Sequence, residues 1–410
     1  MSEWVPEPAS ARVGIDAVMT DAAVVVCCGS GGVGKTTSAA VLGLEGARRG
    51  RRVVVVTIDP ARRLADALGL PGGLSGEPQR IDLGDDGDDG NGGDARDDEG
   101  AHEHGDEHGG EHGEARGDGE LWAMMLDTAA TFDGLVKRYA ADEGQVGRIL
   151  GNPFYRNMAS ALSGTQEYMA AEKLHELHGD DRFDLVIVDT PPSRSALDFL
   201  EAPGVLARFL DHRLFKLLML PTRTGLKALG TAAQPVLRSI GRVVGSDVLA
   251  DTVAFFQAFA GMEAGFRERA NEVVELIRSQ ETSFVIVASP RHDTIEEAVW
   301  FGEQLVDQGV DVAAAIINRT HPEFGEGTSL DARDAAWRAS EAGQIALAGL
   351  WANVAELRTL RERELAVLSP LVEVAGPDHL STMPLLDRDV HDLDGLRLIA
   401  EHLFPGDGRG

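Results

Sequence analysis

Residues 29–37 read Gly29-Ser30-Gly31-Gly32-Val33-Gly34-Lys35-Thr36-Thr37. From Gly29 to Thr36 they match the spacing G-x-x-x-x-G-K-[ST] of a phosphate-binding loop. An apolar run, Ala23-Val24-Val25-Val26-Cys27-Cys28, precedes them, and a helix-forming stretch over 36–49 follows. The motif requires this context of strand, glycine turn and helix. Backbone N–H groups of such a turn point at phosphate oxygens, and the helix N-terminus adds the positive end of its dipole. Glycines let the backbone approach closely and adopt positive φ. Lys35 is then placed to reach the β- and γ-phosphates, the Thr36 hydroxyl to ligate Mg²⁺, and Thr37 to face the α-phosphate. The expected ligand is a nucleoside triphosphate with magnesium.

Working outward, a second apolar run covers 52–58 and ends in Asp59-Pro60, with a short helix expected over 61–68. Further strands are expected at 185–189, 284–288 and 312–317, and a closing one at Val372-Glu373-Val374. Helices are expected over 296–308, from 329 to about 368, and over 392–404. Continuous apolar runs alternating with helical stretches predict an α/β fold, a doubly wound, mostly parallel sheet buried on both faces. The helical stretch between the strands at 185–189 and 284–288 is too long for a simple crossover. It reads as a helical subdomain, 201–281, inserted in a P-loop domain that covers 21–410, after an N-terminal extension over 1–20. No internal repeat is visible.

Residues 84–120 differ in character, with 15 acidic residues, 2 basic ones and 12 glycines. Such a segment has almost nothing to bury against its ordering entropy, and the expectation is a disordered acidic insertion. Its histidines, His102, His104, His108 and His112, are open to two readings, a metal-chelating tract or a solvated low-complexity insert.

The 410-residue chain carries a net charge of −29, which repels nucleic-acid backbones and excludes them as expected partners. Its two cysteines, Cys27 and Cys28, are adjacent on a strand and point to opposite faces, so neither a disulfide nor a zinc set is expected. A reducing cytoplasm fits. Neither a secretion signal nor an apolar run of about 20 residues is present, so stable membrane insertion is not expected.

Two carboxylates stand at strand ends. Asp189 closes the run Asp184-Leu185-Val186-Ile187-Val188-Asp189, in the position of the carboxylate that sits beside Mg²⁺ in P-loop enzymes. Asp184, at the opposite end, reads as a solvated residue. Asp59 ends the second strand on the edge where ligands bind in open α/β sheets. It is placed either to orient or deprotonate an attacking water or to cap the helix over 61–68.

Gly29–Thr37, Thr57-Ile58-Asp59-Pro60-Ala61 and Val188-Asp189-Thr190-Pro191-Pro192-Ser193 occur in an order and spacing that resembles the arsenite-pump ATPase family. That family includes the ATPases that target tail-anchored membrane proteins. The runs Asn152-Pro153-Phe154-Tyr155, Gly164-Thr165-Gln166-Glu167-Tyr168-Met169, 193–200 and 389–396 are similar to its actinobacterial branch. The resemblance implies an ATP-dependent dimer with nucleotides at the subunit interface. It places Asp59 in a first switch that activates water, and 189–193 in a second switch that reports the γ-phosphate. It assigns adenine recognition to Asn318, with Pro384 and Leu385 near the base; the other reading of Asn318 is a turn former.

Two departures qualify what the resemblance implies. The family's lysine, one residue after the first loop glycine, reaches across the dimer; here that position is Ser30. Either a homodimer or a heterodimer with a paralogous ATPase that keeps the lysine is therefore expected. The interface Cys-x-x-Cys pair and the arsenite-binding cysteines are also missing.

Residues 203–266 carry Leu214, Phe215, Leu217, Leu218, Met219, Leu220, Leu226, Leu229, Phe255, Phe256, Phe259, Met262 and Phe266. They either line a groove for an apolar helical client or pack the core of the insert. Interleaved basic residues, among them Arg213 and Lys216, suit an anionic lipid, an acidic partner or a solvated face. The leading expectation is a Mg²⁺-dependent ATPase that opens and closes a dimer around an apolar client. The alternative is a regulatory nucleotide-binding subunit with little hydrolysis. A positioning ATPase of the cell-division type is more distant, because the 396–410 tail makes a poor membrane-binding helix.

Overall fold

The apolar runs become strands of one sheet. The computed structural model describes residues 14–59, 61–84, 119–156, 165–191, 197–204, 246–323, 341–386 and 389–405. Residues 85–118 of the acidic insertion, Pro60, Pro192, Ser193 and the stretch 205–245 lie outside the described residues.

The strands are β1 (Val24–Cys28), β2 (Arg52–Thr57), β3 (Gln79–Ile81), β4 (Glu120–Met125), β5 (Leu185–Asp189), β6 (Thr282–Ala288), β7 (Val312–Thr320) and β8 (Leu380–Pro384). They form an eight-stranded sheet in the order β3-β4-β2-β5-β1-β6-β7-β8. β3 pairs antiparallel at the edge, and every other pairing is parallel. The expected doubly wound α/β sheet is what the chain forms.

Helices cover both faces. On one lie α1 (Ile15–Asp21), α2 (Lys35–Arg48), α3 (Arg63–Ala67) and, at the end of the chain, α12 (Leu393–Leu403). They share a core with Val25, Cys27, Val53, Val55 and Ile187. The other core takes Val24, Val26, Cys28, Val54, Val186 and Val188 from the same strands. Cys27 and Cys28 thus face opposite ways, both buried and both free thiols. Burial pushes the Cys28 thiol up to about 12 and the Cys27 thiol well above its ordinary value, the mark of packing cysteines rather than reactive ones.

A third apolar cluster joins α4 (Thr128–Tyr139), α5 (Glu143–Leu150), α6 (Thr165–His178), α7 (Ser246–Phe259) and α8 (Glu263–Arg278). Its centre is aromatic, with Phe259 and Phe266 ring centroids 4.8 Å apart. Phe255, Phe256, Phe259, Met262 and Phe266 are all buried in it, so these five pack the layer's own core. Leu214, Phe215, Leu217, Leu218, Met219, Leu220, Leu226 and Leu229 lie outside the described residues. α6 spans two cores: Tyr168 and Met169 enter the aromatic cluster, while Ala171, Leu174 and Leu177 pack on the sheet.

The remaining α-helices among the described residues are α9 (His292–Asp307), α10 (Glu341–Val367) and α11 (Ser369–Ala375). α11 corrects the expected strand at Val372-Glu373-Val374. Leu368 N-caps it, Pro370 fits its first turn, and Leu371 and Ala375 bury one turn apart on a helical period. The last parallel strand is β8 instead. Among the described residues, no helix is long and apolar enough to cross a membrane.

Candidate nucleotide site

The sheet order reverses at β1: the chain runs outward to β2 on one side and, later, to β6 and β7 on the other. In doubly wound sheets the carboxyl ends at such a point form the ligand crevice. Here the end of β1 leads into the Gly29–Thr37 loop, and the ends of β2 and β5 bring Asp59 and Asp189 beside it. A cavity of about 840 Å³ opens there. Gly31, Gly32, Gly34, Lys35, Thr36 and Thr37 form its floor, and Asp59, Asp189 and Thr190 line it as well.

The loop is shaped by close approaches. At Gly29, with φ of 148°, a Cβ would stand 2.0 Å from the Val287 carbonyl oxygen. At Gly34, with φ of 102°, it would stand 2.1 Å from Asn318 Nδ2. A side chain at either place would push the loop off the sheet. Lys35 Nζ donates to the carbonyls of Gly29 (2.9 Å) and Ser30 (2.8 Å), which holds the ammonium under the loop. Burial lowers the Lys35 pKa, partly offset by the negative charge of Asp189.

Register explains Asp189. β5 pairs with β1 at Cys27↔Asp189 and with β2 at Thr57↔Asp189, so one carboxylate ends level with both neighbours. Its Oδ2 accepts from the Thr36 hydroxyl (2.7 Å) and the Thr57 hydroxyl (2.9 Å). Its Oδ1 is buried and has no hydrogen-bond partner among the described residues. Burial raises the Asp189 pKa, against the pull of both hydroxyls and of Lys35. A hydroxyl and a half-satisfied carboxylate at a phosphate loop are hard oxygen donors that fit Mg²⁺. Asp184 lies at the opposite strand end, exposed and paired with Arg52 at 2.6 Å.

Asp59 lies on the cavity wall. Its Oδ1 accepts from the Ala61 backbone N–H (2.9 Å), and its Oδ2 stands 3.4 Å from Arg63. It does not cap α3, which begins at Arg63 with Arg62 in the cap position. Asn318 is not in a turn: β7 runs three residues beyond the expected strand, to Thr320. Its Nδ2 donates to the Val33 carbonyl (2.8 Å), buttressing the phosphate loop. Pro384 ends β8 opposite Thr320 and forms no part of the cavity wall. Ser30 is buried and donates to Glu297 Oε2 on α9 at 2.7 Å.

The cavity also gathers residues that the sequence reading assigned no role, among them Gln166, Glu167, Arg319 and His391. Gln166 Nε2 donates to the Ile58 carbonyl (3.0 Å), which ties the start of α6 to the Asp59 segment. Gln166, Glu167 and His391 stood inside runs quoted for the family resemblance, and that was their only signal.

A model of the anion-transporting ATPases matches residues 22–85 and 106–341. The chain belongs to this family. The ATPase GET3 of Malassezia globosa is 23% identical over 296 residues, 72% of each chain. The ATPase GET3 of Rhodotorula glutinis is 23% identical over 375 residues, 90% of this chain and 84% of its own. The putative arsenical pump-driving ATPase 1 of Aquifex aeolicus is 25% identical over 313 residues, 73% of this chain and 64% of its own. As a member of the anion-transporting ATPase family the chain is an ATP-hydrolysing enzyme. The family match spans the phosphate loop, Asp59, Asp189 and Asn318.

Proposed function

We propose that this ATPase works with Mg²⁺ and uses its nucleotide state to switch a dimer that handles an apolar client. The observation that carries the reading is the meeting of Lys35, Thr36, Asp59 and Asp189 in one cavity at the switch point of the sheet. Loop amides and Lys35 would hold the phosphates. Thr36 and Asp189 would hold the magnesium, the latter through water; when bound, the ion neutralises phosphate charge. Asp59, held on the cavity wall by Ala61 N–H, would orient the attacking water and take its proton. Catalysis of this kind is positioning and charge stabilisation, with no covalent intermediate on the protein. Asn318, fixed under the loop, is proposed to read adenine, with Pro384 nearer the base rim. Dimerisation and the client follow from the family resemblance. The client groove is proposed for the helical subdomain, 201–281, in which the aromatic residues of α7 and α8 are consumed in packing.

A second reading is a regulatory subunit that pairs with an active paralogue. Ser30 favours it: the position that would carry a lysine across the dimer holds a hydroxyl, engaged by Glu297 of the same chain. Phosphate release by the purified chain decides between them. The enzyme reading expects steady turnover, lost in Lys35→Ala and in Asp59→Asn, with ATP binding kept in the latter. Negligible turnover by the wild-type chain alone, restored by a paralogue, would establish the regulatory reading instead.

A further inference from the structure

Arg319 has a φ of 63°, the one positive value at a non-glycine among the described residues. Left-handed backbone at such a residue is strained and persists only where the surroundings impose it. Both neighbours do so. Asn318 is tied to the Val33 carbonyl (2.8 Å). Thr320 Oγ1 donates to the Met383 carbonyl (3.0 Å), and the Thr320 carbonyl accepts from Leu385 N–H (2.8 Å). The pairing of β7 with β8 shifts between Ile317 and Thr320, which leaves Arg319 as the bulged residue. The bulge presents its exposed side chain to the nucleotide cavity, with Nη1 3.5 Å from the Gly32 carbonyl oxygen. In a chain of net charge −29, this guanidinium forms no ion pair among the described residues.

We propose that Arg319 is a clamp on the nucleobase: its guanidinium lies flat on the purine ring of the bound nucleotide while one N–H holds the Gly32 carbonyl. The inference rests on the ATPase reading of the same cavity and adds a residue to it. Topology favours the base over the phosphates. Asp59 and Asp189 come from β2 and β5 on one side of β1, whereas Arg319 comes from β7 on the other side, beyond β6. A nucleotide with its phosphates on the loop and its γ end toward Asp59 extends its base toward β7. The guanidinium meets a loop carbonyl, not the amides that cradle phosphate. Planar, weakly hydrated guanidinium groups stack well on aromatic faces. Such stacking reads no base edge, so the clamp sets affinity and leaves the choice between adenine and guanine to others.

Calorimetry on the full chain with Mg²⁺ tests this, using ATP, ADP and inorganic tripolyphosphate as probes. The variant is Arg319→Gly, which keeps the left-handed backbone without strain. The clamp predicts that ATP and ADP weaken by the same factor, about fivefold to twentyfold. Tripolyphosphate should stay within about twofold, and KM should rise while kcat holds. Equal affinity of variant and wild type for both nucleotides overturns the clamp, as does a tripolyphosphate loss matching that of ATP, which would make Arg319 a phosphate ligand. A wild-type chain that binds no nucleotide overturns the ATPase reading itself, and the clamp with it.

Discussion

The nucleotide edge and the helical layer are both buried, yet they treat polar groups differently. At the edge, two hydroxyls donate to one carboxylate; among the described residues the buried atoms without a hydrogen-bond partner there are Asp189 Oδ1, where a cation is proposed, Glu167 Oε2 on the cavity wall and Ser38 Oγ just behind the loop. In the layer, an ion pair between Arg269 and Glu172 (2.7 Å) is nearly sealed from solvent. Around it Tyr168 Oη, Glu172 Oε2, His175 Nδ1 and Arg269 Nη2 are all buried without a hydrogen-bond partner among the described residues. Half-satisfied buried networks cost stability, and a buried ion pair rarely recovers its own desolvation. The layer combines such orphans with a sealed ion pair, so its arrangement is expected to be the less firmly held of the two.

The contrast can be broken in several ways. The largest effects belong to the edge. Lys35→Ala should cut turnover about a thousandfold and weaken ATP binding; Asp59→Asn should cut turnover about a hundredfold or more and leave ATP binding in place. Single-turnover hydrolysis and ATP titration separate the two, and an Asp59→Asn protein that still turns over normally removes the water-positioning role. Next come the two cores. Phe266→Ala should cost about 3–5 kcal/mol and Ile187→Ala about 2–5 kcal/mol in urea unfolding. Their effects on ATP should differ: Ile187 lies two residues before Asp189, so its loss should weaken ATP, while Phe266→Ala should leave ATP affinity within about twofold. Equal losses of ATP affinity would mean that layer and edge form one rigid unit.

The smallest effect concerns protons. Burial, outweighing the attraction of Arg269, pushes the Glu172 carboxyl up from 4.5 to about 7. The folded protein then keeps a proton that the unfolded chain releases. The stability from this group is full below 4.5 and is lost as pH rises to about 7. Glu172→Gln should flatten the fall of the urea midpoint across that window, and an unchanged slope would remove Glu172 from the account.

The sequence showed most of the sheet because fully buried parallel strands read as unbroken apolar runs, as at 24–28 and 185–189. It showed the phosphate loop because glycine spacing is fixed by backbone geometry. It did not show β3, whose three residues include one buried side chain. β8 was hidden because Leu380–Pro384 is half-exposed and polar in part, while the more apolar Val372-Glu373-Val374 belongs to a helix. Arg319 was invisible for another reason: a left-handed arginine has no sequence signature, and only the register shift against β8 reveals it. Gln166 and Glu167 reach the cavity through a helix far along the chain, a placement no local pattern encodes.

The most direct trial of the central claim is equilibrium dialysis of labelled ATP against the full chain, with and without Mg²⁺, beside Lys35→Ala. The account predicts one saturable nucleotide per chain, weaker without the metal and much weaker without the lysine. Retention that ignores both magnesium and Lys35, or no retention by the wild-type chain, would contradict it.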